Sequence, residues 1–269
     1  MLTRQHLRKF VRKRCRHVAQ HLSDYCTTHD PEALHLLRVE IKKLKAFGRL
    51  LYKRAHHQQP NLKSIKPIFT QCGLIRTAHL NLDILQHRNL EHETFIQEQK
   101  RIIAEESALL CNNLSHYQKK LKHQQTQLMH HTHAIHAPQI KTLFRQGVEK
   151  LGVFFSGASI DTAGLHEARK EVKDLMYIHA LLPLALVAML GINIEYLQEL
   201  QSRIGTWHDN EVTLSLLKQF GQTDPTLIEQ LEMENTSLIQ DIKTFTTGFD
   251  QKIHTGTAAI ESSNLSPTA

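Results

Sequence analysis

Two short runs hold the side chains best suited to chemistry: His35, Arg38, Lys42, Lys43, Lys45 and Arg49 in one, and His166, Arg169 and Lys173 in the other. The chemistry they suit is anion recognition. Guanidinium offers a planar fork of donors to phosphate oxygens, the lysine ammonium adds a strong point charge, and imidazole donates a hydrogen bond when neutral and adds charge when protonated. On a helix turning 100° per residue from His35, the residues Arg38, Lys42, Lys45 and Arg49 stay inside an arc of about 80°. Leu37, Ile41, Leu44, Phe47 and Leu51 fall on the opposite side as a core-facing stripe. From His166, Arg169 and Lys173 repeat the same His-x-x-Arg-x-x-x-Lys spacing, with Val172, Leu175, Ile178 and Leu182 opposite. A cation about every 5 Å along a helix suits a linear polymer charged at each repeat unit. A compact ligand would need convergence instead of a line.

The recurrence extends beyond these runs. Leu34 to Leu44 aligns with Leu165 to Leu175 at an offset of 131, and Ile75 to Asn81 aligns with Ile204 to Asn210 at an offset of 129. Two matches in the same order predict an internal duplication, with halves at about 1–136 and 137–255 and a disordered tail at 256–269. Few glycines and prolines and long Leu/Ile/Gln/Glu/Lys stretches predict an all-α fold, with about four helices in each half. In the first half these are expected at 3–28, 31–57, 62–89 and 91–134, and in the second at 139–155, 162–189, 194–220 and 224–252. Thr223 or Asp224 is the expected N-cap of the last helix, with Pro225 at its first position. Gly157 and Gly191 are read as punctuation.

Charge is concentrated where the longer basic run lies. Residues 1–60 carry 14 Lys/Arg against four Asp/Glu, or +10, while the other 209 carry 19 against 22, or −3. Such a local excess implies an anionic partner. Arg8 and Arg12, one turn apart, would extend the anion-binding face. The four cysteines, Cys15, Cys26, Cys72 and Cys111, show no C-x-x-C pair and no zinc spacing, so they are expected to be reduced and packed, which implies a cytoplasmic location. The most apolar stretch, Ala180 to Ile192, is too short to span a bilayer, and no membrane partner is expected.

The sequence resembles the conserved histidine α-helical domain family, abbreviated CHAD. The resemblance rests on His35-x-x-Arg38-Val39-x-x-Lys42-Lys43-Leu44-Lys45-Ala46, on His166-x-x-Arg169-x-x-x-Lys173-x-Leu175-x-Tyr177, and on Gly205-Thr206-Trp207-His208-Asp209. It spans nearly the whole chain. The resemblance implies two four-helix bundles related by pseudo-twofold symmetry, basic side chains lining a central surface, binding of inorganic polyphosphate, and association with polyphosphate granules. Carried over residue by residue, it implicates His35, Arg38, Lys42, Lys43 and Lys45, and His166, Arg169 and Lys173. The second stripe is shorter, because Met176 and Ala180 stand where the first has Lys45 and Arg49, and Asp174 stands where a second cation is common. The first half is therefore expected to dominate. Arg203, His208, Arg76 and His79 are expected to border the same surface.

His208 and Asp209 cannot form a relay with each other, since adjacent helical positions point about 100° apart. Asp209 is expected to orient a neighbouring cation; the alternative is that Thr206 and Asp209 belong to a helix start. No Gly-rich phosphate loop, Gly-x-Ser-x-Gly elbow or His-Glu-x-x-His motif occurs. Glu91-His92-Glu93-Thr94-Phe95 lacks the lysine that a triphosphate-tunnel strand needs. The histidines from His130 to His136 have no carboxylate or cysteine partners in sequence and are read as solvated. The expectation is thus a binding protein without catalysis, cofactor or metal, with nucleic acid as the secondary partner and a metal-dependent phosphohydrolase as the least favoured reading.

Overall fold

A computed structural model describes residues 1–52, 62–90, 92–157, 160–219 and 225–254. Among them there are helices and turns, one isolated bridge between Leu2 and Ile135, and no strand, so the fold is all-α. The chain divides into two compact units, Met1–Ile135 and His136–Ala269.

The first unit holds α1 (Arg4–Thr28), α2 (Pro31–Tyr52), a 3-10 turn (Leu62–Ser64), α3 (Lys66–His87), α4 (Glu93–Asn112) and α5 (Leu114–His131). Helix α1 begins where the Thr3 hydroxyl accepts from the His6 N–H, and ends at His29, whose φ of 54° turns the chain out of the helix. Its Leu7, Val11, Cys15, Val18, Leu22 and Tyr25, three or four residues apart, form one buried stripe. Helix α2 buries Leu34, Leu37, Ile41, Leu44 and Phe47. It packs on α1 along one side and on α3 along another.

The expected single helix over 91–134 is two. Asn113 closes α4, its side-chain amide donating to the Leu109 carbonyl at 2.8 Å, and α5 starts after it. The expectation of four reduced cysteines is also corrected, because Cys26 on α1 and Cys111 on α4 form a disulfide. Their separation of 85 residues carries no spacing signal, and only the packing of α1 on α4 brings them together. Cys15 and Cys72 are free and buried. The bonded pair lends no support to a cytoplasmic location expected from reduced thiols.

The second unit holds α6 (Ala137–Phe155), α7 (Thr162–His179), α8 (Leu184–Leu190), α9 (Ile194–Lys218), α10 (Pro225–Thr246) and α11 (Phe249–Lys252). The expected helix 162–189 breaks at Pro183, which cannot donate to the preceding turn and becomes the N-cap of α8. The last expected helix likewise breaks at Gly248, whose φ of 72° suits glycine. Helix α9 buries Leu197, Leu200, Ile204, Trp207 and Leu217, and packs on both α7 and α10. The expected cap at 223–224, the end of the helix expected over 31–57 and the tail 256–269 lie outside the described residues. No described helix is long and apolar enough to cross a membrane.

Candidate anion-binding site

In the first unit, α2 presents the basic arc between its two packed sides. His35 and Lys45 are exposed, and Arg38, Lys42 and Arg49 are half-buried. Arg38 leans onto α3. It donates to the Phe69 carbonyl at 2.6 Å, and its guanidinium lies 4.2 Å from the centroid of the Phe69 ring. Lys45 approaches the same ring, with Nζ at 3.7 Å. Gly73 makes the space, since a Cβ there would stand 2.5 Å from an Arg38 nitrogen. Burial pulls the Arg38 pKa down, and the nearby Arg76 adds to the effect. Further along α3, His79 is half-buried and held below the usual imidazole range, first by burial, with Arg76 adding and Asp83 opposing. Arg76 thus acts electrostatically on Arg38 across α2 and α3, and on His79 along α3.

Lys43 turns the other way. Its ammonium lies 2.7 Å from Glu40, a buried carboxylate that also binds Arg14 of α1 at 2.8 Å, with His17 at 3.7 Å. Arg8 is engaged as well. Its guanidinium donates to the Met129 carbonyl and the Thr132 hydroxyl, and so ties α1 to the end of α5. Arg12 remains exposed on α1 beside Lys9, Lys13 and Arg16.

In the second unit, α7 and α9 bring a second group together. The His166 ring lies 5.0 Å from Trp207 and 5.2 Å, edge-on, from His208. One turn on, burial lowers the pKa values of Arg169 and Lys173. Arg169 adds to the lowering at Lys173, and the Asp209 charge opposes it at both. Asp209 therefore stands near both cations. It lies deep within α9, which starts at the Asn193 cap, so neither it nor Thr206 belongs to a helix start. Arg203 faces elsewhere. It pairs with Glu199 and with Asp241 of α10, and stacks on Phe245 at 4.5 Å.

The family model for the CHAD domain matches residues 9–218. The chain belongs to this family. Its fold is similar to the crystal structure of the CHAD domain from the plant Ricinus communis, with a TM-score of 0.63 and 16% identity over 91% of each chain. No curated protein matches it.

Within this CHAD domain, sequence reasoning missed Phe69 and Glu40. Phe69 carried no signal, because its partners lie on another helix. Glu40 carried a weak one. It stands three residues before Lys43, and the aligned position holds Glu171, which is likewise buried and lies 3.7 Å from Lys150 of α6. Gly147 admits that carboxylate, since a Cβ there would meet it at 2.8 Å. Among the described residues no group of three or more His, Cys, Asp or Glu gathers as a metal site. In the run from His130 to His136, His130 and His131 end α5, and His136 forms a capping box with Gln139 at the start of α6.

Proposed function

We propose that this chain binds inorganic polyphosphate, without catalysis or cofactor, through the basic face of α2 in its first unit and the His166, Arg169, Lys173 and His208 group in its second. CHAD domains are linked to polyphosphate binding in general. The observation that carries the reading is the α2 arc, where His35, Arg38, Lys42, Lys45 and Arg49 line one face of one helix between two packed sides. Such a row matches a polymer with regularly repeated charge, and counterion release makes its affinity fall steeply with salt. The α2 arc is the stronger element, because Asp209 offsets part of the cationic field in the second unit. Association with polyphosphate granules follows as part of the same proposal.

Isothermal titration with long-chain polyphosphate tests the reading. Replacing Arg38→Ala together with Lys42→Ala is expected to weaken binding by at least tenfold and to flatten the salt dependence. Undiminished binding would overturn the assigned site. A second reading has one observation in its favour: Lys9, Arg12, Lys13 and Arg16 form an exposed basic face on α1, which suits the phosphates of nucleic acid. Displacement of bound polyphosphate by RNA or DNA of equal charge, at physiological salt, would favour that partner.

A further inference from the structure

We propose that Phe69 is a positioning residue for phosphate: its ring and its own carbonyl hold Arg38 and Lys45 as a preset pair of cations. The inference rests on the polyphosphate reading and adds to it a residue with no charge of its own.

Phe69 lies on α3, half-buried, and is not part of the fully buried core of the first unit. Two cations from α2 cover it. Arg38 and Lys45 are seven residues apart, or about 10 Å along the helix axis. Converging on one ring, with the guanidinium carbon 4.2 Å and the ammonium 3.7 Å from its centroid, they can stand no more than about 8 Å apart. Two like charges drawn together repel each other, and the negative faces of the ring offset that cost. A phosphate chain that bridges both cations lowers that repulsion further. The Phe69 carbonyl, at 2.6 Å, fixes the guanidinium further.

The second unit shows a similar arrangement in which the arginine is paired with carboxylates. Arg203 and Lys252 approach Phe245 at 4.5 and 5.7 Å, but Glu199 and Asp241 pair with Arg203. At Phe69 the contacts of the guanidinium, a carbonyl and a ring, are uncharged, so its charge stays available to an anion. Ordering both long side chains before binding removes an entropic cost that binding would otherwise carry.

The test is titration of the full chain with long-chain polyphosphate at several salt concentrations, using Phe69→Leu, Phe69→Tyr, and phenylalanine with one to three ring fluorines at position 69. Phe69→Leu is expected to weaken binding by about 5- to 20-fold, because binding then has to order two long side chains that the ring no longer presets. Phe69→Tyr should stay within about twofold of the wild type. Each fluorine should weaken binding stepwise, because it drains the ring face without changing its shape. The slope of affinity against salt should not change, since no cation is removed. Equal weakening by Leu and Tyr, or no loss with fluorination, overturns the proposal, and the fluorinated series decides it even where the leucine variant folds poorly. Loss of binding in Arg38→Ala with Lys42→Ala, combined with intact binding in Phe69→Leu, refutes only the positioning role. Intact binding in the Arg38/Lys42 variant refutes the polyphosphate site itself.

Discussion

Glu40→Gln should lower stability and raise polyphosphate affinity at the same time. The Glu40 side chain is 7% exposed and lies between Arg14, at 2.8 Å and 12% exposed, and Lys43, at 2.7 Å and 29% exposed. Glutamine keeps the shape and removes the charge, leaving the Arg14 guanidinium in a nearly closed site opposite a neutral amide. Breaking a buried pair costs about 3–5 kcal/mol. Lys43 can swing to water, so a loss of about 2–4 kcal/mol is expected, read as a lower urea midpoint. The freed ammonium joins Lys42 and Lys45 on the binding face. One more phosphate contact should steepen the salt dependence by nearly one unit of log K per log salt. Adding Lys43→Gln should remove the gain in affinity while the loss of stability persists. Unchanged stability in Glu40→Gln would refute the buried pair, and lower stability with unchanged affinity would refute the sequestration of Lys43.

Replacing Cys26 and Cys111 by serine should destabilise the chain by about 2–4 kcal/mol, because the bond closes a long loop in the unfolded ensemble. Thiol titration of the unfolded, unreduced wild type should find two reactive groups. Burial holds His79 and His179 below the ordinary imidazole value of 6.5, so on acidification the unfolded chain takes up protons first. Their contribution to stability is complete above pH 6.5 and is lost as pH falls through the lower folded values, which denaturation at pH 7.5 and pH 5 would show; His79→Gln should flatten the dependence. Gly73→Ala should leave the melting temperature nearly unchanged, because the atom it meets ends a flexible side chain, but it should displace Arg38 and weaken polyphosphate binding. Equal affinity in that variant would contradict the Arg38 geometry.

Most helix starts were legible because their signals are local. Asp30 accepts from the Glu32 N–H before α2, and Asn193 caps α9 through the Tyr196 N–H. The breaks at Asn113, Pro183 and Gly248 were harder to read, since apolar periodicity runs on through each of them. At Asn113 a side-chain amide ends one helix where composition suggests continuation. Pro183 was visible but sits in an apolar run that hid the turn. The disulfide was illegible for a different reason: pairing residues 85 apart depends on the packing of α1 against α4.

The basic arc on α2 was legible because angular spacing along one helix is fixed by the chain itself. The state of each cation was not, because it is set by the neighbouring helix. Lys43 and Arg14 share one buried carboxylate, and Arg203 is paired with Glu199 and with Asp241 of α10. Formal charge in residues 1–60 therefore overstates what an anion meets there. Arg38 shows the converse: burial and a neighbouring arginine both weigh against its charge, yet no carboxylate is among its contacts with Phe69. A cation held this way by neutral groups gains more from an incoming phosphate than one already paired. Affinity should accordingly follow the few positions with uncharged supports, and much less the total number of basic residues.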